Sequence, residues 1–548
     1  MDFQRSMLII ALSLVLFMIW QTWQFEHQPP KPVVEKVQGT GTTANPTVPS
    51  ENIVNVPQEK STIPTISSQD INDYQETIDV ETDVYKLKIA KTGGKIIKLE
   101  LRKYPVDIEN KDKHFSLLQT KTQPFYIVEN GIVGVKGGDK SFFPNENAKF
   151  NSENSEYRLS GDKLEVNLNW ADAPPGLTIV KSYIFTKGSY VVYVNYQINN
   201  QTDKIWQGNV FGQLKREGLL ESEEMGITNY SYTGAALYTK ENSYKKISFD
   251  DLSESNISII TEDSWIGYIQ HYFTGAVIPS SKSLLYSYKQ AGKYVVGTRM
   301  KLLEIPPNGN SDFNYSMYLG PKLQDEMEQA QEGLELTVDY GWLTIIAKPI
   351  FWLLKFIHSF TFNWGIAIIL ITFLIKLVFF KLSATSYKSM ARMRKLQPRL
   401  ATLKKRYGDD KQKLNQAMMK IYKEEKVNPM GGCLPILVQM PVFIALYWVL
   451  LESVELRQAS FLWLDDLSIK DPFYILPLLM GVSMFIQQKL NPAPIDPIQA
   501  KVMMMLPLIF TVFFAFFPSG LVLYWTSNNI LSIWQQYVIT KKYGGLSK

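Results

Sequence analysis

Apolar and polar positions along this chain change rhythm twice. Residues 7–23 form an uncharged apolar run, residues 85 to about 200 alternate between apolar and polar, and after residue 360 long apolar runs return between short polar connections. A run of about 18 or more apolar residues is long enough to cross a bilayer as a helix, while a period of two marks a strand buried on one face. The crossings expected on this basis are residues 1–25, 360–380, 433–451, 472–488, 502–517 and 521–539. The apolar tract after residue 502 is too long for one crossing, and Phe517-Pro518-Ser519-Gly520 divides it at a turn, residues 518–520. The first run ends in Trp20-Gln21-Thr22-Trp23 without a small-residue cleavage site, which favours an uncleaved anchor over a signal peptide.

Residues 26–69 are rich in Pro, Thr, Gln and Val without period, the composition of an extended tether. Alternation then begins. Tyr85, Leu87 and Ile89 alternate with Lys86 and Lys88, Thr92-Gly93-Gly94 supplies a turn, and Ile97, Leu99 and Leu101 alternate with Lys98 and Glu100, which predicts a hairpin. The same period returns in residues 164–170 and 192–198, so residues 70–320 are expected to form a β-rich domain of two packed sheets. Residues 321–359 read as a linker ending in a helix. There Lys348, Lys355 and His358 share one side and aromatic residues cover the rest, which places the helix along the membrane surface rather than across it.

Charge orients these pieces. The net charge of +5 is modest, but residues 381–432 hold 14 Lys or Arg against four acids, and residues 452–471 hold two basic residues against five acids. Short basic loops stay in the cytoplasm, so the two connections lie on opposite sides of the membrane. Loops 381–432 and 489–501, the tail 540–548 and the N-terminus are then cytoplasmic, and the β domain and loop 452–471 are outside. The fold class expected is a polytopic α-helical membrane protein of six transmembrane helices with a large extracytoplasmic all-β domain. Cys433 is the only cysteine, so that domain has no disulfide and must be held by its own core.

Lys376 interrupts the apolar run of residues 364–380 (WGIAIILITFLIKLVFF). An ionisable group in hydrocarbon costs a few kcal/mol or more and usually faces a wet cavity or a partner. The competing reading is a lysine near a helix end that snorkels to the headgroups, as the nearby Lys381 can. Thr372 shares its face, and Gln439, Gln487, Ser527, Asn528 and Asn529 all fall in the cytoplasmic half of the bilayer, whereas the outer half is mostly apolar. Each alone reads as interhelical glue, but their common depth favours a polar cavity closed to the outside. Such a cavity suits the reception of a polar polypeptide segment.

The basic loop has its own order. Met393, Leu396, Leu400, Leu403 and Tyr407 step by three and four, Gly408-Asp409-Asp410 interrupts, and Leu414, Met418 and Ile421 resume, which predicts a helical hairpin zipped by its apolar stripe, with a bend at Pro398. Its basic face, Arg392, Arg394, Lys395, Arg399, Lys404, Lys405 and Arg406, is left to meet acidic headgroups, a ribosome's RNA or water.

Asn428-Pro429-Met430-Gly431-Gly432-Cys433-Leu434-Pro435, Gln439-Met440-Pro441, Ser453-Val454-Glu455-Leu456-Arg457, Asp471-Pro472-Phe473-Tyr474-Ile475-Leu476-Pro477 and Phe517-Pro518-Ser519-Gly520-Leu521 resemble the YidC/Oxa/Alb family of membrane insertases over essentially the whole chain. The resemblance implies a five-helix core with a groove open to cytoplasm and lipid, a periplasmic β-supersandwich, and insertase and chaperone activity with or without the Sec translocon in a bacterial inner membrane. It implies a groove lined by Lys376, Thr372, Gln439, Gln487, Tyr524, Trp525, Ser527 and Asn528. The partners it implies are nascent membrane proteins, ribosomes and targeting factors, the Sec translocon and lipids, with no DNA and no cofactor. The chain departs from the family in one respect, since the groove charge there is typically arginine and here it is Lys376.

Two other classes compete. A carbohydrate enzyme is disfavoured because the β domain has only His114 and His271 as histidines, with no metal-ligand spacing, no GxSxG and no Gly-rich phosphate loop. A transporter is disfavoured because no inverted repeat relates the core helices, although Pro441, Pro477 and Pro507 interrupt three spans.

Overall fold

The computed structural model describes residue 74 and residues 76–134, 143–219, 232–408, 410–425, 427, 434–492 and 497–543. The expected N-terminal anchor and tether lie outside the described residues, as do Cys433, the motif residues before it and the tail beyond residue 543.

The alternating region forms two sheets, one of eleven strands and one of nine. The opening hairpin is the one the pattern predicts: Tyr85–Ala90 pairs antiparallel with Ile96–Pro105, with Leu87 opposite Leu99. Along Val191–Asn200 the apolar side chains Val192, Val194, Tyr196 and Ile198 are buried, as a period of two requires. That strand pairs antiparallel with Gly309–Pro321, Val191 opposite Tyr318, a closure across more than a hundred residues that no local pattern announces. Side chains of the two sheets then meet in one apolar core. Two buried tyrosines tie parts of it together through their hydroxyls. The Tyr85 hydroxyl donates to the Leu319 carbonyl (2.8 Å), and that of Tyr183 to the Gly94 carbonyl (2.6 Å). Lys181 is wholly inside this core. Its ammonium donates to the carbonyls of Gly93 (3.0 Å) and Gly94 (2.9 Å), both glycines at positive φ in the hairpin turn, and burial pushes it well below the ordinary lysine range.

Two short helices, α1 (Phe249–Glu254) and α2 (Gln324–Ala330), accompany the sheets. Then follow α3 (Thr344–Thr361), α4 (Trp364–Val378), α5 (Phe380–Tyr407), α6 (Lys411–Glu424), α7 (Leu434–Glu452), α8 (Ile475–Leu490), α9 (Pro497–Phe514) and α10 (Ser519–Lys542). Helix α3 buries Ala347, Phe351, Leu354 and Ile357 and leaves Trp352, Phe356 and Phe360 exposed. By length and composition, residues 341–361 are the one unbroken helical segment among the described residues that is apolar enough to cross a membrane. Helices α4 and α5 make a pair bent by 69°, and residues 438–452, 475–490 and 500–514 form shorter apolar helices.

Helix α4 starts at Asn363, whose side chain accepts from the Ile366 amide (3.1 Å), a capped entry to the apolar run. Its change of direction into α5 falls at Phe379, where apolar sequence gives way to basic. Pro398 is exposed and α5 runs through it. The hairpin of α5 and α6 closes on Leu396, Leu400 and Val427, packed by Met393, Leu403, Met418, Ile421 and Tyr422, which is the stripe the spacing predicts.

Candidate functional site

Positions four apart on a helix share a face, and on α4 Ile368, Thr372 and Lys376 are all buried. The Thr372 hydroxyl donates back to the Ile368 carbonyl (2.6 Å), so it is satisfied within its own helix. Lys376, only 8% exposed, reaches across to α10 and donates from Nζ to Ser532 Oγ (2.7 Å). Ser532 in turn donates to the Asn528 carbonyl (2.7 Å). Among the described residues no carboxylate pairs with Lys376. A buried ammonium held by a neutral hydroxyl keeps most of its charge uncompensated.

Ser532 belongs to a polar stripe on α10. Asn529, Ser532, Gln536 and Thr540 recur every three or four residues and are all buried, as is Gln535. The stripe stitches α10 to its neighbours: Asn529 Nδ2 donates to Ser483 Oγ of α8 (3.2 Å), Gln535 Nε2 to the Phe380 carbonyl (3.2 Å), and Gln536 Nε2 to Asn491 Oδ1 (2.9 Å).

Of the groove residues expected from sequence, Lys376, Thr372 and Asn528 come together here, Asn528 through its backbone. Tyr524 and Trp525 form a separate aromatic cluster with α7 and α9: Phe443 lies 6.0 Å from Tyr524 and 4.6 Å from Trp525 between ring centres, and Phe514 lies 5.2 Å from Trp525. Gln439 carries a buried amide nitrogen without a partner, and Gln487 and Ser527 are half-buried. Among the described residues no hydrogen bond joins any of these three to Lys376. Asn529, grouped with these by depth, bonds Ser483, while Ser532, Gln535 and Gln536 were missed. The helical spacing of Asn528, Ser532 and Gln535 was the available signal, obscured by the apolar residues between them.

On the hairpin of α5 and α6, Arg392, Lys395, Arg399, Lys405 and Arg406 are exposed, and Arg394 and Lys404 are half-buried. Arg399 pairs with Glu425 across the hairpin (2.6 Å), and Arg394 donates to the Leu490 carbonyl at the end of α8 (3.4 Å). The outer surfaces of α8, α9 and α10 expose large apolar side chains, including Leu478, Val482, Leu508, Val512, Ile530 and Trp534. A patch of that extent is stable only when lipid or a partner covers it.

Comparison with known proteins covers both parts of the chain. The family model described as the 60Kd inner membrane protein matches residues 356–545, and that of the YidC periplasmic domain matches residues 77–353. The membrane protein insertase YidC of Nitrosococcus oceani is 46% identical, over 99% of this chain and 99% of its own. That of Methylococcus capsulatus is 45% identical, over 99% of this chain and 98% of its own. Among solved structures, an active YidC insertase with its first transmembrane domain resolved is 19% identical, covers 84% of this chain and 92% of its own, and gives a TM-score of 0.38.

Proposed function

This chain belongs to the YidC family of membrane protein insertases, proteins of the inner membrane with a large periplasmic β domain, and from that premise we propose how its own residues carry out insertion. The clients are nascent membrane proteins. A hydrophilic segment of the client enters the polar layer between α4, α8 and α10, where Lys376 attracts its acidic groups and the amides of the α10 stripe replace lost water. Desolvation is the main cost of moving such a segment inward, and a polar layer set partway into the membrane lowers it. The apolar segments of the client then leave sideways over the exposed faces of α8, α9 and α10, driven by hydrophobic transfer.

In this reading α4, α7, α8, α9 and α10 form the core of a six-crossing protein, with residues 1–25 as the remaining anchor and α3 lying along the periplasmic surface. The exposed arginines and lysines of α5 meet ribosomes or targeting factors, with the Sec translocon as an additional partner. Clients are taken up with or without that translocon.

One observation carries the proposal: the Lys376 ammonium is buried against Ser532 and no carboxylate of the described chain neutralises it. Photocrosslinkers placed at Thr372, Lys376 and Tyr524 test it during synthesis of a membrane protein on ribosomes. Adducts to the client's hydrophilic tail from the first two positions are expected. Adducts to lipid alone at all three would refute the reading.

A further inference from the structure

Two helices meet on one oxygen. The Ser532 hydroxyl of α10 has one proton to donate and two lone pairs to accept with. Its proton goes to the carbonyl one turn back, that of Asn528 (2.7 Å), a back-bond common to serine inside helices. One lone pair then accepts from Lys376 Nζ of α4 (2.7 Å). With its proton spent on the Asn528 carbonyl the hydroxyl meets Lys376 as an acceptor, and Ser532 is only 3% exposed.

The ammonium is in the opposite condition. It has three N–H groups, of which one is spent on Ser532. A bond from an ammonium to a neutral hydroxyl is weaker than one to a carboxylate, in which both partners are charged. Lys376 also ends a flexible four-carbon stem, of the kind that lets a lysine near a helix end carry its charge out to the headgroups. Something must keep the charge inside the protein without neutralising it.

We infer that Ser532 is a positioning residue that holds the Lys376 ammonium inside the polar layer and leaves it free to take a client carboxylate, so that position 532 sets the preference for acidic over neutral client segments. The inference rests on the reading of Lys376 as the client-attracting charge and goes beyond it by naming what keeps that charge in place. An acid at position 532 would satisfy the ammonium from within and remove the preference. An apolar residue there would release the stem toward the headgroups.

The test uses the full-length protein in proteoliposomes and a pair of clients whose translocated tails differ only by Asp against Asn. The readout is the ratio of acidic to neutral insertion within one vesicle preparation, which does not depend on how much protein is active. Ser532→Ala is expected to lower the ratio about fivefold, the factor that one net hydrogen bond makes, and Ser532→Asp to bring it to about one. Ser532→Thr should keep the wild-type ratio. Ser532→Val, of the same shape as the threonine variant, repeats the comparison where alanine leaves a damaging cavity. A loss of ratio in Lys376→Ala together with a wild-type ratio in Ser532→Ala, Ser532→Val and Ser532→Asp overturns the role of Ser532. A wild-type ratio in Lys376→Ala overturns the reading of Lys376 itself.

Discussion

The Lys322 ammonium lies 2.8 Å from the Glu452 carboxylate, and both side chains are nearly closed to water, at 1% and 5% exposure. Lys322 follows the last strand of the β domain and Glu452 ends α7, so this pair fastens the periplasmic sheets to the helical core. Lys322 donates as well to the Thr337 carbonyl (3.3 Å), His271 bonds the Leu451 carbonyl (2.9 Å), and Arg457 donates to the Pro105 carbonyl (2.6 Å). Removing one partner of a buried pair strands the other charge and costs about 3–5 kcal/mol, whereas replacing both by apolar groups of similar size costs little. Lys322→Ala and Glu452→Ala are each expected to lower the unfolding temperature in detergent, and Lys322→Met with Glu452→Met to recover most of the loss. A double variant as damaged as either single one would contradict this account.

The same junction responds to pH. Burial lifts the Glu455 carboxyl from its usual 4.5 to about 7, against the pull of a backbone hydrogen bond and of Lys355. An acid that is harder to ionise folded than unfolded binds its proton more tightly in the fold, so its contribution to stability falls as pH rises from 4.5 to about 7 and is level above that. His271 acts in the other sense. Burial lowers it below 6.5, so its protonation at acid pH favours the unfolded chain. The difference between the wild type and Glu455→Gln isolates the carboxyl: thermal unfolding should show the variant's relative advantage to be larger at pH 8 than at pH 5. An advantage equal at the two pH values would refute the raised Glu455 value.

A lysine rather than an arginine at position 376 sets the quality of the attraction more than its sign. A guanidinium binds carboxylate through two parallel bonds, while an ammonium acts as a compact point charge. Lys376→Arg is expected to retain insertion, and Lys376→Ala to impair clients with acidic tails selectively. The check is an insertion assay in membranes depleted of the native protein, and equal activity of the three forms would argue against any role for the charge.

How legible was this in the sequence? The hairpin of Tyr85–Ala90 with Ile96–Pro105 followed from alternation and a Gly-Gly turn, because both signals are local. The pairing of Val191–Asn200 with Gly309–Pro321 did not, since pairing partners distant in sequence leave no local mark. In the membrane, Lys376 stood out because a charge in hydrocarbon is costly wherever it occurs. Ser532 did not stand out, because a lone serine in a helix is unremarkable until the fold brings an ammonium to 2.7 Å from it. Polar residues ranked by depth grouped Gln439 and Gln487 with Lys376. Depth fixes only one coordinate, and the direction in which each side chain faces its own helix decides contact.

Direction also governs the packing of α8 on α9. Gly481 is buried, and a Cβ there would stand 2.0 Å from Thr511 Oγ1 and 3.2 Å from Thr511 Cβ. The hydroxyl is held in place by its bond to the Pro507 carbonyl (2.7 Å), so it cannot turn aside without losing that partner. Helices that meet without a hydrophobic driving force depend on such small residues for close approach. Gly481→Val is therefore expected to part the two helices and destabilise the core by about 1–3 kcal/mol, the usual cost of overpacking. Adding Thr511→Ala removes the struck oxygen and should restore part of the stability, though the remaining Cβ contact at 3.2 Å prevents full recovery. Cysteine pairs across α8 and α9 read the separation directly. A crosslinking yield unchanged by Gly481→Val would show that the interface has room the geometry denies.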